Sequence, residues 1–383
     1  MGSKTMKPLL AVVFDLIVTV FCAPAFAQEH EEHSGQAAET HQTEVLDPGK
    51  IIVEHVTDAH DWHFFTIGHH HYSIPLPVII YNRSTGKLEV FSSSKFHHGE
   101  ETHNGYKLLT FESIAELKKE GANVTGLMNQ QIVAVDAEGK PDASVKLLDL
   151  SMTKNVVQML LSMVLLIIIM TSVAKKYRQQ GVQAPSGLQG AIEPVITFVR
   201  DEVAKPNLGH KYQRYLPLLL TVFFFILINN LMGLIPGSAN VTGNIALTGV
   251  LALISFIIIL LSTNRHFWGH VFWFPGVPVP VKFIMMPVEL MGIITKPFAL
   301  MIRLFANMVA GHVIILSFII LIFIFGAMSK ALGLGTSPVF VALAVFIYAI
   351  EVLVAFIQAF IFTNLTAVFI GQSFEHGDHN EHH

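Results

Sequence analysis

Cysteine is nearly absent from this chain: Cys22 is the only one, which leaves no disulfide framework and no thiolate metal cluster around which to organise a fold. Charge is scarce as well. Lys, Arg, Asp and Glu supply 14% of the 383 residues, against the roughly 25% usual in soluble domains. Positive charge is not in excess, and a net charge of -4 speaks against nucleic acid as a partner. No G-x-x-x-x-G-K-[ST] phosphate loop occurs, so nucleotide chemistry has no home in this chain. Hydrophobic residues make up 52% of the sequence, the composition of a membrane protein.

The N-terminus has the order of a secretory signal, residues 1–27. Lys4 and Lys7 precede an apolar stretch from Pro8 to Cys22, interrupted by Asp15, and A-P-A-F-A then ends at Ala27. Phe21 is too bulky for the small-residue pattern of lipoprotein processing at Cys22; an uncleaved helical anchor is the alternative. Residues 28–44 are polar, rich in Glu and His, and read as disordered. Residues 45–150 read as a small strand-containing external domain. Ile51–Val56, Ser73–Asn82, Lys87–Ser92 and Gln131–Val135 have strand-like content, Phe111–Glu120 suits a helix, and R-S-T-G, H-H-G-E and A-E-G-K suit turns. His69, His70, His71, His97 and His98 are expected as surface residues rather than a metal site. Adjacent histidines on a strand point apart, and no H-x-H or H-E-x-x-H with a defined second shell appears. The His-rich tail 373–383 is read in the same way.

Residues 151–372 read as a helical membrane domain. Asn155–Ala174, Leu216–Pro236 and Asn244–Ser262 are each long enough to cross a hydrocarbon core of about 30 Å. Phe283–Met328 and Pro338–Gly371 would run roughly 69 and 51 Å as helices, too long for an upright crossing, so they must tilt or bend. Pro287, Gly292 and Pro297 offer bending points. That makes five membrane-crossing helices. Lys175, Lys176, Arg178, Arg200, Lys205, Lys211, Arg214, Arg265 and Lys282 mark one side as cytoplasmic, which puts residues 45–150 outside and the C-terminus inside. Leu188, Ile192, Val195, Val199 and Val203 recur at spacings of three and four, as on an interfacial amphipathic helix.

Charges in so apolar a setting define the candidate site. Arg303 stays protonated at any accessible pH and has about 20 apolar-dominated residues on each side, so it needs a polar partner or water. Glu289, Lys296, Arg303 and Asn307 fall within about 40° of one another on a helix at 100° per residue. Glu351 and Gln358, seven apart, share a face of the last helix. Such groups either join helices together or line a path for an ion.

R-L-F-A-N-M-V-A-G-H, preceded by P-V-E-L-M-G-I-I-T-K-P and followed by F-I-Q-A-F-I-F-T-N-L-T, resembles subunit a of the F-type ATP synthase. A-I-E-P-V-I-T-F-V-R and L-I-N-N-L-M-G-L-I-P add to the resemblance, which covers residues 155–371 and leaves out the external segment. It implies the stator of a rotary motor in a bacterial cytoplasmic (inner) membrane. Its partners would be a ring of c subunits, the b subunits of the peripheral stalk and the rest of the ATP synthase, with no cofactor and no metal. Arg303 then matches the essential arginine, Asn307 its neighbouring amide, Gln358 the glutamine of the last helix and Glu289 the exit path. His312 stands where many members have an acid and Glu351 where they have a histidine, so the pair looks exchanged. His312 and Glu351 are expected to form one proton relay on the external side of Arg303. The rival classes are a transporter or channel, for which no inverted repeat is found, and a metal-binding module on an anchor, which leaves the charged membrane stripe unexplained.

Overall fold

The computed structural model describes residues 57–67, 70–121, 124–136, 139–142, 144–180, 187–235, 237–262 and 278–372, with Gly49, Ile52, Val53 and Phe272 beside them. The expected signal at 1–27, the polar segment 28–44 and the tail 373–383 lie outside the described residues, as does His69.

Among the described residues, the part before residue 151 contains three small antiparallel sheets. β1 (Asp61–Ile67) pairs with β2 (His70–Pro75); β3 (Pro77–Asn82) lies between β4 (Lys87–Ser92) and β8 (Leu147–Asp149); and β6 (Tyr106–Leu108) lies between β5 (Thr102–His103) and β7 (Ile132–Ala134). The expected strand Ser73–Asn82 is two strands. Pro75 and Pro77 lack the N–H that a continuous ladder needs, and the chain bends between them at Leu76, whose N–H is taken by the Ser93 hydroxyl at 3.0 Å. The expected strand Ile51–Val56 is corrected where it is described: Ile52 and Val53 are helical, and Thr57 closes the turn through its N–H and hydroxyl on the Val53 carbonyl. Branched side chains favour strands only where a neighbouring strand covers them. The aromatic run of β1 was not anticipated at all.

Alternation along β3 buries Val78 and Ile80 against Phe96, Tyr106, Leu108, Ile132 and Ala134, and these side chains form the core of this part. The H-H-G-E turn is tight: His97, His98 and Gly99 all have positive φ, and a Cβ at Gly99 would overlap Thr110 and the Leu108 carbonyl. α1 (Phe111–Lys119) starts where Thr110 and Ser113 cap each other reciprocally.

The remainder of the chain is helical. α2 (Lys154–Gln180) leads to α3 (Leu188–Phe198), a π-helical turn at Val199–Ala204, and the short α4 (Lys205–Leu208); α5 (Tyr212–Gly233) and α6 (Ile245–Ser262) follow. α7 (Val279–Met328, 50 residues) and α8 (Lys330–Gln372, 43 residues) pack along one another. They are about 75 and 65 Å long at 1.5 Å per residue. Four stretches are long and apolar enough to cross a membrane, namely Lys154–Gln179, Leu188–Gly233, Pro280–Met328 and Lys330–Gly371, while Ile245–Ile254 is a shorter apolar helix. α8 starts eight residues before the expected Pro338, which lies inside it. In a membrane helix a proline is tolerated where neighbouring helices and Ser/Thr side chains satisfy the freed backbone groups, so G-L-G-T-S-P does not end the helix here.

The apolar stripe of α3 and the following turn faces protein. Ile192, Val199 and Val203 join Phe223 of α5, Leu304 of α7, and Phe362 and Ile370 of α8 in one core. Phe198 packs on Phe356 and Phe360 at 5.8 and 5.4 Å, and Asn207 donates to Asn364 at 2.9 Å, which fixes the C-terminal end of α8.

The two parts of the chain meet at the start of α2. The Lys154 N–H donates to the Ala59 carbonyl (2.9 Å), the Asn155 N–H to Asp58 Oδ1 (3.2 Å), and buried His60 lies 3.1 Å from Asp149 Oδ2 through Nε2. Burial raises the Asp149 carboxyl, but hydrogen bonds from His60 and Ser151 outweigh it and hold the group below 3.8. A carboxylate depressed by folding stabilises the fold above its unfolded pKa, and the contribution is lost as pH falls through the folded value. Acidification from about pH 5 to about pH 3 should therefore lower the melting temperature of this region, followed by tryptophan fluorescence, and Asp149→Asn should reduce that acid sensitivity. Equal sensitivity in the variant would exclude Asp149 as a contributor.

Candidate functional site in the membrane half

Several polar side chains inside the helical part are matched across helices, while Asn230 Oδ1 and Thr242 Oγ1 are buried without a partner among the described residues. On α2, the buried Gln158 amide donates to the Ala239 carbonyl (2.5 Å) and accepts from the Ala239 N–H (2.8 Å). The Ser162 hydroxyl donates to Asn229 Oδ1 at 3.0 Å, and Asn229 donates in turn to the Phe225 carbonyl at 2.8 Å. Asn230 donates across to the Ala355 carbonyl of α8 at 3.3 Å. Asn240 caps the turn Val241–Gly243 by accepting the Gly243 N–H at 2.9 Å, and donates to the Met308 carbonyl of α7 at 3.4 Å. These amides tie α2, α5, the α5–α6 connection, α7 and α8 into one polar seam.

Arg303 is outside that seam. It is exposed on α7, and among the described residues it makes no hydrogen bond or ion pair. Leu300, Leu304 and Met308 turn a neighbouring face of the helix into the core. Exposed Ala299, Ala306 and Ala310 flank the arginine at spacings of three and four, so the backbone is approachable there. Glu289 and Asn307 are half-buried on the same helix, and the Lys296 side chain lies outside what is described.

His312 and Glu351 lie close together on α7 and α8. The His312 Nδ1 is 3.1 Å from the Met308 carbonyl and Nε2 is 2.9 Å from the Gly233 carbonyl at the end of α5. Both neighbours are acceptors, so a neutral ring can donate to one and an imidazolium to both. Glu351 is 7% exposed and Oε2 has no hydrogen-bond partner. Its carboxyl group lies against Gly311, where a Cβ would overlap it. No hydrogen bond joins His312 to Glu351 among the described residues. Gln358, buried and two turns on, continues the buried stripe Glu351, Ala355, Gln358, Phe362. Gln158, Ser162, Asn230, Asn240 and Gly311 were not singled out from sequence. The N-N pair at Asn229 and Asn230 was the visible signal for two members of the seam, whereas Gly311 carries no signal apart from its neighbour His312.

Long apolar helices around a seam of matched polar groups define a multi-pass membrane protein. Residues 156–371 match the family described as ATP synthase A chain, and residues 51–150 match one described only as a domain of unknown function. Subunit a of the ATP synthase of Chloroherpeton thalassium is 46% identical over 237 residues, 61% of this chain and 69% of that protein. ATP synthase subunit a 2 of Chlorobaculum tepidum is 41% identical over 253 residues, 63% and 69% of the two chains. For subunit a of Anaeromyxobacter dehalogenans the figures are 42% over 247 residues and 61% of each. The chain belongs to the ATP synthase A chain family.

The fit of Glu351 against Gly311 can be tested without transport. Gly311→Ala should push the carboxyl out of place and lower thermal stability by about 1–3 kcal/mol, the usual range for overpacking. Combining it with Glu351→Ala, which removes the group that is struck, should recover most of the loss. Equal melting of the single and double variants would show that the contact does not set the cost.

Proposed function

We propose that this chain is the stator subunit of the membrane sector of an F-type ATP synthase, supplying the proton half-channels and, in Arg303, the charge that faces a rotating ring of c subunits. One observation carries the reading. Arg303 is exposed on an apolar helix, has no partner among the described residues and is flanked by alanines, which suits a partner from another subunit. A carboxylate on a close-packed helix meets both requirements. Facing Arg303, such a carboxylate favours its ionised form and gives up its proton before passing, which prevents a short circuit between the two half-channels.

Protons enter on the external side past His312 and Glu351, ride the ring, and leave past Glu289 on the cytoplasmic side. Asn307 and Gln358 line the region around the arginine. His312 is nine residues beyond Arg303, about 13.5 Å along a straight helix, and Glu289 is fourteen before it, about 21 Å, so the two ends of the path are well separated. Each unit charge crossing the membrane potential yields about 2.3 kcal/mol per 100 mV, so several protons serve each ATP made elsewhere in the complex.

The same reading sets the topology. Residues 1–27 are a cleaved secretory signal, residues 45–150 lie outside the bacterial inner membrane, and α2, α5, α6, α7 and α8 cross it, with the α3 and α4 region on the cytoplasmic side and residues 373–383 inside. Support comes from the hydrogen bond of Trp62 to Gly237, which puts β1 on the same face as the α5–α6 connection. Five crossings give both segments the external side. The b subunits of the peripheral stalk are the expected partners at the cytoplasmic surface.

Arg303→Ala should abolish ATP-driven proton pumping in inverted vesicles while the c ring and soluble subunits still copurify. Pumping near the wild-type rate by an assembled variant would overturn the assignment. Arg303→Lys should also fail, since a compact ammonium on a flexible stem reproduces neither the delocalised charge nor the fixed reach of a guanidinium.

A further inference from the structure

The extramembrane residues 57–150 have no part in the mechanism so far, yet they reach the connection that shapes the His312 site. The indole N–H of Trp62, on β1, donates to the Gly237 carbonyl at 2.7 Å. Gly237 has φ +80°, a conformation that turns its carbonyl in a direction most residues would not adopt. Two residues on, Ala239 is held from the other side by the paired hydrogen bonds of Gln158. Asn240 then caps the following turn and donates to the Met308 carbonyl, the oxygen that His312 Nδ1 also approaches. At the near end of the same connection is Gly233, whose carbonyl meets His312 Nε2, and a Cβ at Gly233 would touch Asn240 in ordinary contact. Gly237 to Gly243 are therefore held by α2, by α7 and by the external domain, and both contacts of the His312 ring belong to this arrangement. The external domain in turn is fastened to α2 through Asp58 and Ala59.

We propose that the external domain is a positioning element for the outer end of the proton path, in which Trp62 holds the Gly237–Asn240 segment so that the Gly233 and Met308 carbonyls orient His312. This rests on the proton-path reading above. Trp62 touches no transported ion; it acts through Gly237 and the residues that follow. Without its hydrogen bond, the segment loses one of its three restraints, and the His312 ring samples orientations that accept protons less well.

The test uses the intact complex in proteoliposomes, with ATP synthesis measured while the pH on the external side is varied. Trp62→Phe keeps an aromatic ring and loses the N–H. The proton concentration at half-maximal rate should rise about threefold to tenfold, the effect of one lost hydrogen bond, with a smaller change in maximal rate. Trp62→Gln should restore much of the wild-type profile, because its amide nitrogen lies the same number of bonds from Cβ as the indole nitrogen. Hydrogen exchange at the Ala239 and Gly243 amides should be faster in Trp62→Phe than in the wild type. An unchanged pH profile together with unchanged exchange overturns the proposal. Arg303→Ala runs alongside: if it still pumps, the proton-path reading fails, whereas a dead Arg303→Ala beside an unaltered Trp62→Phe sinks only the positioning role. Should Trp62→Phe not assemble, exchange in the wild-type complex under rising denaturant decides. Amides 239 and 243 opening together with β1 supports the coupling, and their opening independently of β1 overturns it.

Discussion

A guanidinium cannot shed its charge, and hydrocarbon cannot solvate it; the arrangement of this chain around Arg303 follows from those two facts. Exposed on α7 and without a partner among the described residues, the arginine needs a polar group or water to meet it. The helix that carries it must therefore be fixed on another face, and it is. Leu300 and Leu304 are packed into a core shared with α5 and α8, and buried Met308 has its carbonyl drawn into the amide seam by Asn240. Rigidity on one face allows an open charge on another.

The buried polar residues divide by whether their needs are met. Gln158 uses both ends of its amide, Ser162 and Asn229 answer one another, and Asn230 reaches Ala355, so these groups hold helices together. Glu351 is a buried carboxyl whose Oε2 is unsatisfied among the described residues, as are Asn230 Oδ1 and Thr242 Oγ1, and the space for it exists only because residue 311 has no side chain. An unmet carboxyl in an apolar interior is costly to retain, and it is where a proton or water has most to gain by entering.

How much of this was legible depended on whether the signal was local. Helices of membrane length announce themselves through apolar runs, and the placement of Glu289, Arg303, Asn307, Glu351 and Gln358 on α7 and α8 followed from their sequence positions. The ends were harder. Lys175 to Gln180 are polar and remain helical in α2, because leaving the apolar layer does not require leaving the helix, and for the same reason α8 runs back through Pro338 to Lys330. The stripe at Ile192, Val199 and Val203 was visible, but periodicity states only that a face is covered and not by what; here α5 and α8 help to cover it. Trp62 with Gly237 and Gly311 with Glu351 are separated by 175 and 40 residues, and nothing local to either partner signals the meeting.

The placement of an imidazole on α7 and a carboxyl on α8 takes on physical sense at this interface. His312 on α7 and Glu351 on α8 enter the region between α5, α7 and α8 from opposite sides, and each is next to the same glycine, one in sequence and one in space. A site that needs one carboxyl and one imidazole between two helices is indifferent, to first order, to which helix supplies which. It is not indifferent to the backbone. An imidazole on α7 finds the Gly233 and Met308 carbonyls as acceptors, and carbonyls would repel a carboxylate there, while the carboxyl on α8 faces a bare Cα and no acceptor. In this chain the backbone around position 312 suits a donor, so the orientation of the pair is set by which carbonyls the α5–α6 connection presents.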